Sequence, residues 1–409
     1  MHHEFLTSIG QSHLNSCHPQ EIQALMQSWE GGPLVQGMKI TYSPLSDCEH
    51  HGIEADRELG EKWLIAGRVG CLILAAGLGS RLGFDGPKGC FPVSVVEKKT
   101  LYQLLFERIG AIQKKWKCQV PVLILVSSTH QQVTQQFLEA HHYFGLNGSQ
   151  ITFVVQRNYP YFDDEGKILL DTNGKMLTAP NGNGGALEVI APVLDQWRKK
   201  GIECLHIIPI DNPLVDPCDP YMTGLLERRQ ADVVVKAIER NDPHEHVGVL
   251  VKQEQRIHVV DYMEIEASSS SYSLGNAGHY AVRLQFLLQL SSPLSLHWIK
   301  KKVKKGGRKV VVWKGEKFIF DLLAMTDRAC AICYPRALCF APLKSLKGTH
   351  GVAALRRALV QRDQMTFEAI TGYKVRKKRF ELSAEFLHPT AELFTTWKGK
   401  VLPSQSYIK

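Results

Sequence analysis

Residues 69–75, VGCLILA, form an unbroken apolar run. A strand buried on both faces of a sheet has this pattern. Similar runs follow in VPVLILVSS (120–128), QITFVVQ (150–156), CLHIIPID (204–211) and DVVVKAI (232–238). Between them lie segments with apolar residues at helical spacing. These are TLYQLLFERIGAIQKKW (100–116), opened by Thr100, then TQQFLEA (134–140) and residues 186–199. GVLVKQ (248–253) and RIHVVDYMEI (256–265) read as two more strands. Alternating strand and helix predicts an α/β fold, with helices on both faces of a central, mostly parallel (mixed) sheet. Such sheets bind ligands at the carboxyl ends of their strands.

The flanks read differently. Residues 1–65 are predicted mostly helical, from EIQALMQSW and DRELGEKWLIAG, with a loop over GGPLVQGMKITYSPLSD between them. In residues 159–180, the DDEG and TNG turn signals predict a hairpin. EASSSSYS (266–273) reads as a loop. Beyond residue 345, GVAALRRALVQRD reads as a helix, and the last thirty-odd residues as short strands and turns. The division is a helical N-terminal segment (1–65), a catalytic domain (66–345) and a small C-terminal α+β appendage (346–409). A chain of 409 residues has room for about two or three units at roughly 150 residues each.

Charge changes the picture at one place. The net charge is +9, and residues 300–317, KKKVKKGGRKVVVWKGEK, hold nine Lys/Arg against one Glu. The rest is almost neutral, which argues against a nucleic-acid binder. The segment reads as a solvated helix end and hairpin, with attraction of a polyanion as the functional alternative. With 44% apolar and 22% charged residues, the chain is of globular and not disordered or fibrous composition. No apolar run approaches the ~20 residues that span a bilayer. The first residues lack a basic stretch followed by an apolar one, and the ten cysteines are scattered. The expectation is a cytoplasmic protein, a monomer or weak homo-oligomer, with no membrane partner. Cys330 and Cys333 form a CxxC without a second pair or nearby histidines, so they read as small residues of a buried element and not as a zinc site.

The chemistry is concentrated after the first strand. LILAAGLGSRLGFDGPKGCF (72–91) runs from a buried strand into a loop with Gly77, Gly79, Gly83, Gly86 and Gly89, together with Arg81 and Lys88. Bare backbone N–H groups beside two cations suit a highly charged phosphate chain. A dinucleotide site is excluded on three grounds. The spacing is GxGxxxG, the next strand ends in Ser127 and Ser128 with no acidic residue for a ribose, and the loop is long and cationic. GxxxxGK[ST] is absent as well. Farther on, Asp211 follows CLHIIPI; a carboxylate at the end of a parallel strand is well placed for Mg²⁺. Asp216 and Asp219 read as solvated turn residues.

LAAGLGSRLGFDGPKG resembles the signature loop of the eukaryotic-type UDP-sugar pyrophosphorylases, a branch of the nucleotidyltransferases, and is most similar to their UDP-N-acetylglucosamine pyrophosphorylase members. Further blocks follow in the family's order: FVVQ ending at Gln156, APNGNGG (179–185), PIDN (209–212), the stretch holding Gly248 and Glu264, GNAGHY with Asn276, KGEKFIFD (314–321) and FAPLK ending at Lys344. The resemblance covers roughly residues 60 to 345 and implies a Rossmann-like (GT-A-like) nucleotidyltransferase fold. It implies a reaction of UTP with a sugar 1-phosphate. Arg81, Lys88 and Lys344 would meet phosphate, and Asp211 would hold Mg²⁺, with Mn²⁺ as a substitute. Gly77 and Gly79 would approach the phosphates, Gln156, Gly182 and Asn183 the uridine, and Gly248, Glu264 and Asn276 the sugar. The chain departs from the family pattern with Ala76 for Gly, Leu78 for Gln, Asn181 for Asp and His279 for Asn.

Overall fold

Strand burial follows the apolar runs. The computed structural model describes residues 19–29, 41–50, 52–265, 271–375 and 379–409. Its strands are β1 (Ser43–Pro44), β2 (Cys48–His50), β3 (Val69–Leu74), β4 (Val122–Ser127), β5 (Ile151–Gln156), β6 (Asn158–Phe162), β7 (Thr178–Pro180) and β8 (Cys204–Pro209). They continue as β9 (Val233–Glu239), β10 (Val249–Gln253), β11 (Arg256–Val260), β12 (Leu274–Arg283), β13 (His297–Lys305), β14 (Arg308–Glu316), β15 (Ala329–Cys333), β16 (Glu381–Leu382) and β17 (Tyr407–Ile408). The helices used below are α1 (Pro19–Trp29), α2 (Glu54–Ile65), α3 (Leu101–Trp116), α4 (Gln131–Ala140), α5 (Leu187–Lys199) and α6 (Pro220–Arg228). After them come α7 (Leu284–Gln289), α8 (Arg336–Cys339), α9 (Val352–Thr371) and α10 (Ala391–Trp397).

The main sheet runs β2-β15-β9-β12-β8-β3-β4-β5. Its pairs are parallel except around β12, which lies antiparallel between β9 and β8. Successive β3 residues alternate between two apolar layers. Cys71 and Ile73 pack in one with Tyr102, Phe106 and Ile109 of α3; Leu72 packs in the other with Ile190, Leu194 and Trp197 of α5. This double burial is why β3 reads as a continuous apolar run. Thr100 caps α3, its side chain accepting from Gln103 N at 3.2 Å.

Several expectations at the flanks change. The segment 41–65 is not a separate helical piece: β2 is an edge strand of the main sheet beside β15, and β1 pairs with β10. A few polar residues in a two- or three-residue strand leave no period to read. RIHVVDYMEI is a strand only to Val260; Asp261 then caps a one-turn 3-10 helix over Tyr262–Glu264. The basic segment contains no helix end, since β13 and β14 form one antiparallel hairpin that continues onto β6 and β7. α1 belongs there too, its Ile22 and Leu25 packing with Tyr159 and Phe162. α9 sends Leu355 and Leu359 into the main core, so packing is continuous across residue 345. Cys333 is buried on β15. Of the loop expected at 266–273, residues 266–270 lie outside the described residues.

α2 and α6 cross in backbone contact. A Cβ added at Gly224 would lie 1.7 Å from the Asp56 carbonyl oxygen, and one at Gly60 would lie 1.8 Å from that of Pro220. The buried Asp56 carboxylate accepts from Arg228 Nε at 2.6 Å and Nη2 at 3.0 Å across the same crossing. Because backbone cannot step aside, Gly224→Ala must separate the helices. We expect it to destabilise the protein by about 1–3 kcal/mol, as overpacking does. Urea unfolding with an unchanged midpoint would refute this.

Candidate active site

β3, β5 and β8 are parallel to one another through β4 and β3, so their carboxyl ends lie on one edge of the sheet. That edge carries Gly77 after β3, Gln156 at the end of β5 and Asp211 just after β8. β12 runs the other way, so its beginning, with Asn276, arrives at the same edge; a Cβ added at Gly278 would lie 3.7 Å from Pro209.

The loop after β3 folds back on itself. Gly79 N donates to Gly86 O at 3.0 Å, and Lys88 N to Gly77 O at 3.2 Å. Its glycines have different tasks. Gly89 lies under the Tyr102 ring, 2.2 Å from where its Cβ would be, and Gly79 is pressed against Phe84. Gly77 faces open space. Only Gly77 therefore matches a backbone bared to a ligand, while Gly79 and Gly89 are demanded by packing. Arg81 is exposed on the same loop and adds to the positive potential at Lys88.

Lys88 is only 6% exposed. Its Nζ lies 3.3 Å from Asp211 Oδ2 and 3.4 Å from the Leu343 carbonyl. Lys344 Nζ donates to the same Asp211 oxygen at 2.8 Å. Burial pushes the Asp211 carboxyl up, but Lys344 and Lys88 outweigh it and hold it below the ordinary carboxylate value. Burial depresses the Lys88 ammonium, only partly offset by Asp211, and Lys344 and Arg81 depress it further. The free enzyme should therefore lose activity on the alkaline side below the ordinary lysine value of 10.5, as Lys88 gives up its proton. A kcat/KM–pH profile checks this, since it reports free-enzyme groups; an alkaline limb at or above that value would contradict it.

Asn212 was not singled out from the sequence, although it lies in the PIDN block. Its Nδ2 donates to Cys339 O at 2.7 Å and its Oδ1 accepts from Ala341 N at 3.0 Å. Leu343 N donates to Asp211 O at 2.8 Å. These bonds clamp the 339–343 strand of chain against 211–214 and deliver Lys344 to Asp211 across 133 residues.

A second cluster surrounds Gln156. Its Nε2 donates to Asn181 Oδ1 at 3.2 Å and to Gly182 O. Asn181 in turn donates to Glu188 at 2.7 Å, and Glu188 also accepts from Tyr159 and Lys317. An Asp at 181 would set a second carboxylate against Glu188, which explains Asn at this position. Glu188 and Tyr159 lie in no motif and Lys317 lies in the KGEKFIFD block; the three come together only in the fold. The exposed Asn183 spends its Oδ1 on Ile319 N at 3.0 Å, which leaves its NH₂ for a ligand.

The third group is looser. Asn276 N donates to Gly248 O at 2.8 Å, so these two meet. The Asn276 amide staples its own turn, donating to Tyr280 OH at 2.7 Å and accepting from Gly278 N at 2.8 Å. Glu264 is exposed on the 3-10 turn after β11. His279 is 1% exposed and bonds to His206 at 2.9 Å beneath the sheet, so its departure from the family pattern does not touch the open edge. Asp219 is buried rather than solvated, capping α6 and pairing with the buried Lys236; Asp216, with 29% of its side chain exposed, pairs with His388 at 3.2 Å.

Among the described residues no three His, Cys, Asp or Glu side chains converge as a ready-made metal site. Asp211 suits Mg²⁺, which commonly takes one or two carboxylates together with substrate phosphate oxygens. Any such ion shares this carboxylate with two ammonium groups.

Comparison with known proteins places this arrangement. The model of the family described as UTP–glucose-1-phosphate uridylyltransferase matches residues 34–386. The chain belongs to that family. It is 30% identical over 354 residues to UDP-N-acetylglucosamine diphosphorylase 2 of Arabidopsis thaliana, covering 78% of this chain and 70% of the relative. It is 31% identical over 333 residues to UDP-N-acetylhexosamine pyrophosphorylase-like protein 1 of Xenopus tropicalis, covering 74% of this chain and 65% of the relative. The fold is that of the Trypanosoma brucei uridine diphosphate N-acetylglucosamine pyrophosphorylase, with a TM-score of 0.83 at 23% identity, covering 100% of this chain and 93% of the other. Among the described residues no helix is long and apolar enough to cross a membrane.

Proposed function

We propose that this chain transfers the uridylyl group of UTP to N-acetylglucosamine 1-phosphate and releases pyrophosphate. The observation that carries the reading is the contact of Lys88, Asp211 and Lys344 at the carboxyl ends of the strands, beside the Gly77–Arg81 loop. The relatives' names, mostly of N-acetylhexosamine pyrophosphorylases, support the choice of sugar.

The acceptor phosphate oxygen is already anionic, so the reaction needs no general base. Catalysis then consists of alignment and neutralisation of charge on phosphate oxygens. Arg81 and Lys88 face the departing pyrophosphate; Lys88 is held rigid by burial, whereas the half-exposed Lys344 can move between Asp211 and an incoming phosphate. The 2.8 Å Lys344–Asp211 bond orders that side chain before substrate arrives. Gln156 spends both amide hydrogens on Asn181 and Gly182 and has its carbonyl to spare for a uracil edge. When bound at Asp211, Mg²⁺ would supply further neutralisation of the phosphates.

The deciding measurement is pyrophosphate release from UTP and Mg²⁺ with N-acetylglucosamine, N-acetylgalactosamine and glucose 1-phosphates in parallel. Release with the N-acetylglucosamine ester supports the proposal. Release with glucose 1-phosphate alone would keep the transfer and replace the acceptor. Silence with all three, from folded protein that binds UTP, would reject the reading.

A further inference from the structure

On the far side of the 211–219 segment from the Gly-loop lies a cavity of about 320 Å³ between α2, α3, α6 and α9. It is lined by Arg57, Arg108, Lys115, Lys236 and Arg362, against Glu61, Asp216 and Asp219. The acids are already matched. Glu61 pairs with Arg57 at 2.6 Å, Asp219 with Lys236, and Asp216 with His388.

Arg57 and Lys236 take part in those pairs; the other three cations are not fully matched. Arg108 is 2% exposed and makes no ion pair among the described residues; its one hydrogen bond is from Nη1 to the Val215 carbonyl at 2.8 Å. Its Nη2 has no partner. Arg362, 7% exposed, bonds Asp363 through Nε and Nη2, and its Nη1 has no partner. Lys115 lies over the Trp116 ring at 4.7 Å and makes no ion pair among the described residues. The Tyr334 hydroxyl also lies on the cavity wall, beside Asp219. A buried, unpaired charge costs several kcal/mol. Lysine can escape by losing its proton, but arginine cannot. Two guanidinium groups with a free N–H edge beside one cavity call for an oxyanion, and tetrahedral phosphate oxygens match that fork geometry.

We propose that this cavity is a binding site for a phosphate-class oxyanion, free phosphate or a phosphate monoester, held by Arg108 and Arg362 with Lys115 and Tyr334 beside it. It is separate from the catalytic edge and independent of which sugar the enzyme uses.

The test is thermal unfolding of the full chain in inorganic phosphate and in glycerol 3-phosphate, each against NaCl at matched ionic strength. Both anions could also stabilise the catalytic site, so the measurement is repeated in Lys88→Met. We expect a rise in Tm of roughly 3 °C at ~50 mM anion, a size that follows from ligand linkage. The rise should persist in Lys88→Met and vanish in Arg362→Met and Arg108→Met. Arg108→Met in NaCl should be at least as stable as the parent, because it removes a buried unpaired charge. Should either arginine variant fail to fold, the partly exposed Lys115→Gln should still roughly halve the rise. A larger response to the ester than to phosphate marks a monoester site, and an equal response marks a phosphate site. No rise beyond NaCl, or a rise that disappears in Lys88→Met and survives in Arg362→Met, overturns the proposal.

Discussion

Asp211→Asn should lower kcat by about 10³-fold, the upper end of what losing one preorganised electrostatic group costs. The substitution keeps the shape and removes the charge that Lys88 and Lys344 share at 3.3 and 2.8 Å. Three effects add. The carboxylate proposed to hold Mg²⁺ is lost, so the Mg²⁺ concentration for half-maximal rate should rise. Lys344 loses the partner that orders it. Lys88, already depressed by burial, loses its main support and becomes neutral at lower pH. The same substitution should cost little stability, because a buried lysine can shed its proton rather than remain an unpaired charge. Turnover near that of the parent, from protein with a normal melting curve, would remove Asp211 from the mechanism.

The second large effect is expected from Lys88→Met. The loss in kcat should be on the order of 10²–10³. Stability should hold or increase, because methionine fills the stem's volume without the desolvation that burdens the ammonium, and Asp211 keeps Lys344. Activity and stability moving in opposite directions is the signature of a residue retained for chemistry and not for folding. A variant that unfolds readily while its remaining folded fraction turns over normally would show the reverse, a structural lysine. Lys344→Met makes the contrast: with 46% of its side chain exposed, Lys344 should affect kcat with almost no change in stability.

The central strands and helices were legible because each carries a period or a long apolar run. β3, β4 and β8 are buried on both faces, and α3 has a cap at Thr100. The loop after β3 was legible as a loop because glycines and cations crowd one short stretch. The sequence did not distinguish the glycines that meet a ligand from those that meet the protein, however; Gly89 and Gly77 look alike until Tyr102 is placed over one of them. The edge strands β1 and β2 were illegible for a different reason. They are short, and their pairing partners lie far along the chain, Cys48 with Ala331 and Ser43 with Lys252.

What the sequence determined alone is therefore local: which segments are strands buried on both sides, where the Gly-rich cationic loop lies, and that Asp211 ends a parallel strand. Its departures were also visible, Asn181 and His279 among them, but not their meaning. Tertiary structure decided everything that depends on convergence. It brought Lys344 to Asp211 through the Asn212 clamp, set Asn181 against Glu188, and buried His279 against His206. It turned Asp219 from an apparent surface turn into a buried partner of Lys236, paired the part-exposed Asp216 with His388, and left Arg108 with no ion pair among the described residues. The reason is physical. Periodicity reports only whether a face is wet or dry, whereas the state of a charged group depends on which other charges share its low-dielectric surroundings, and those come from distant parts of the chain.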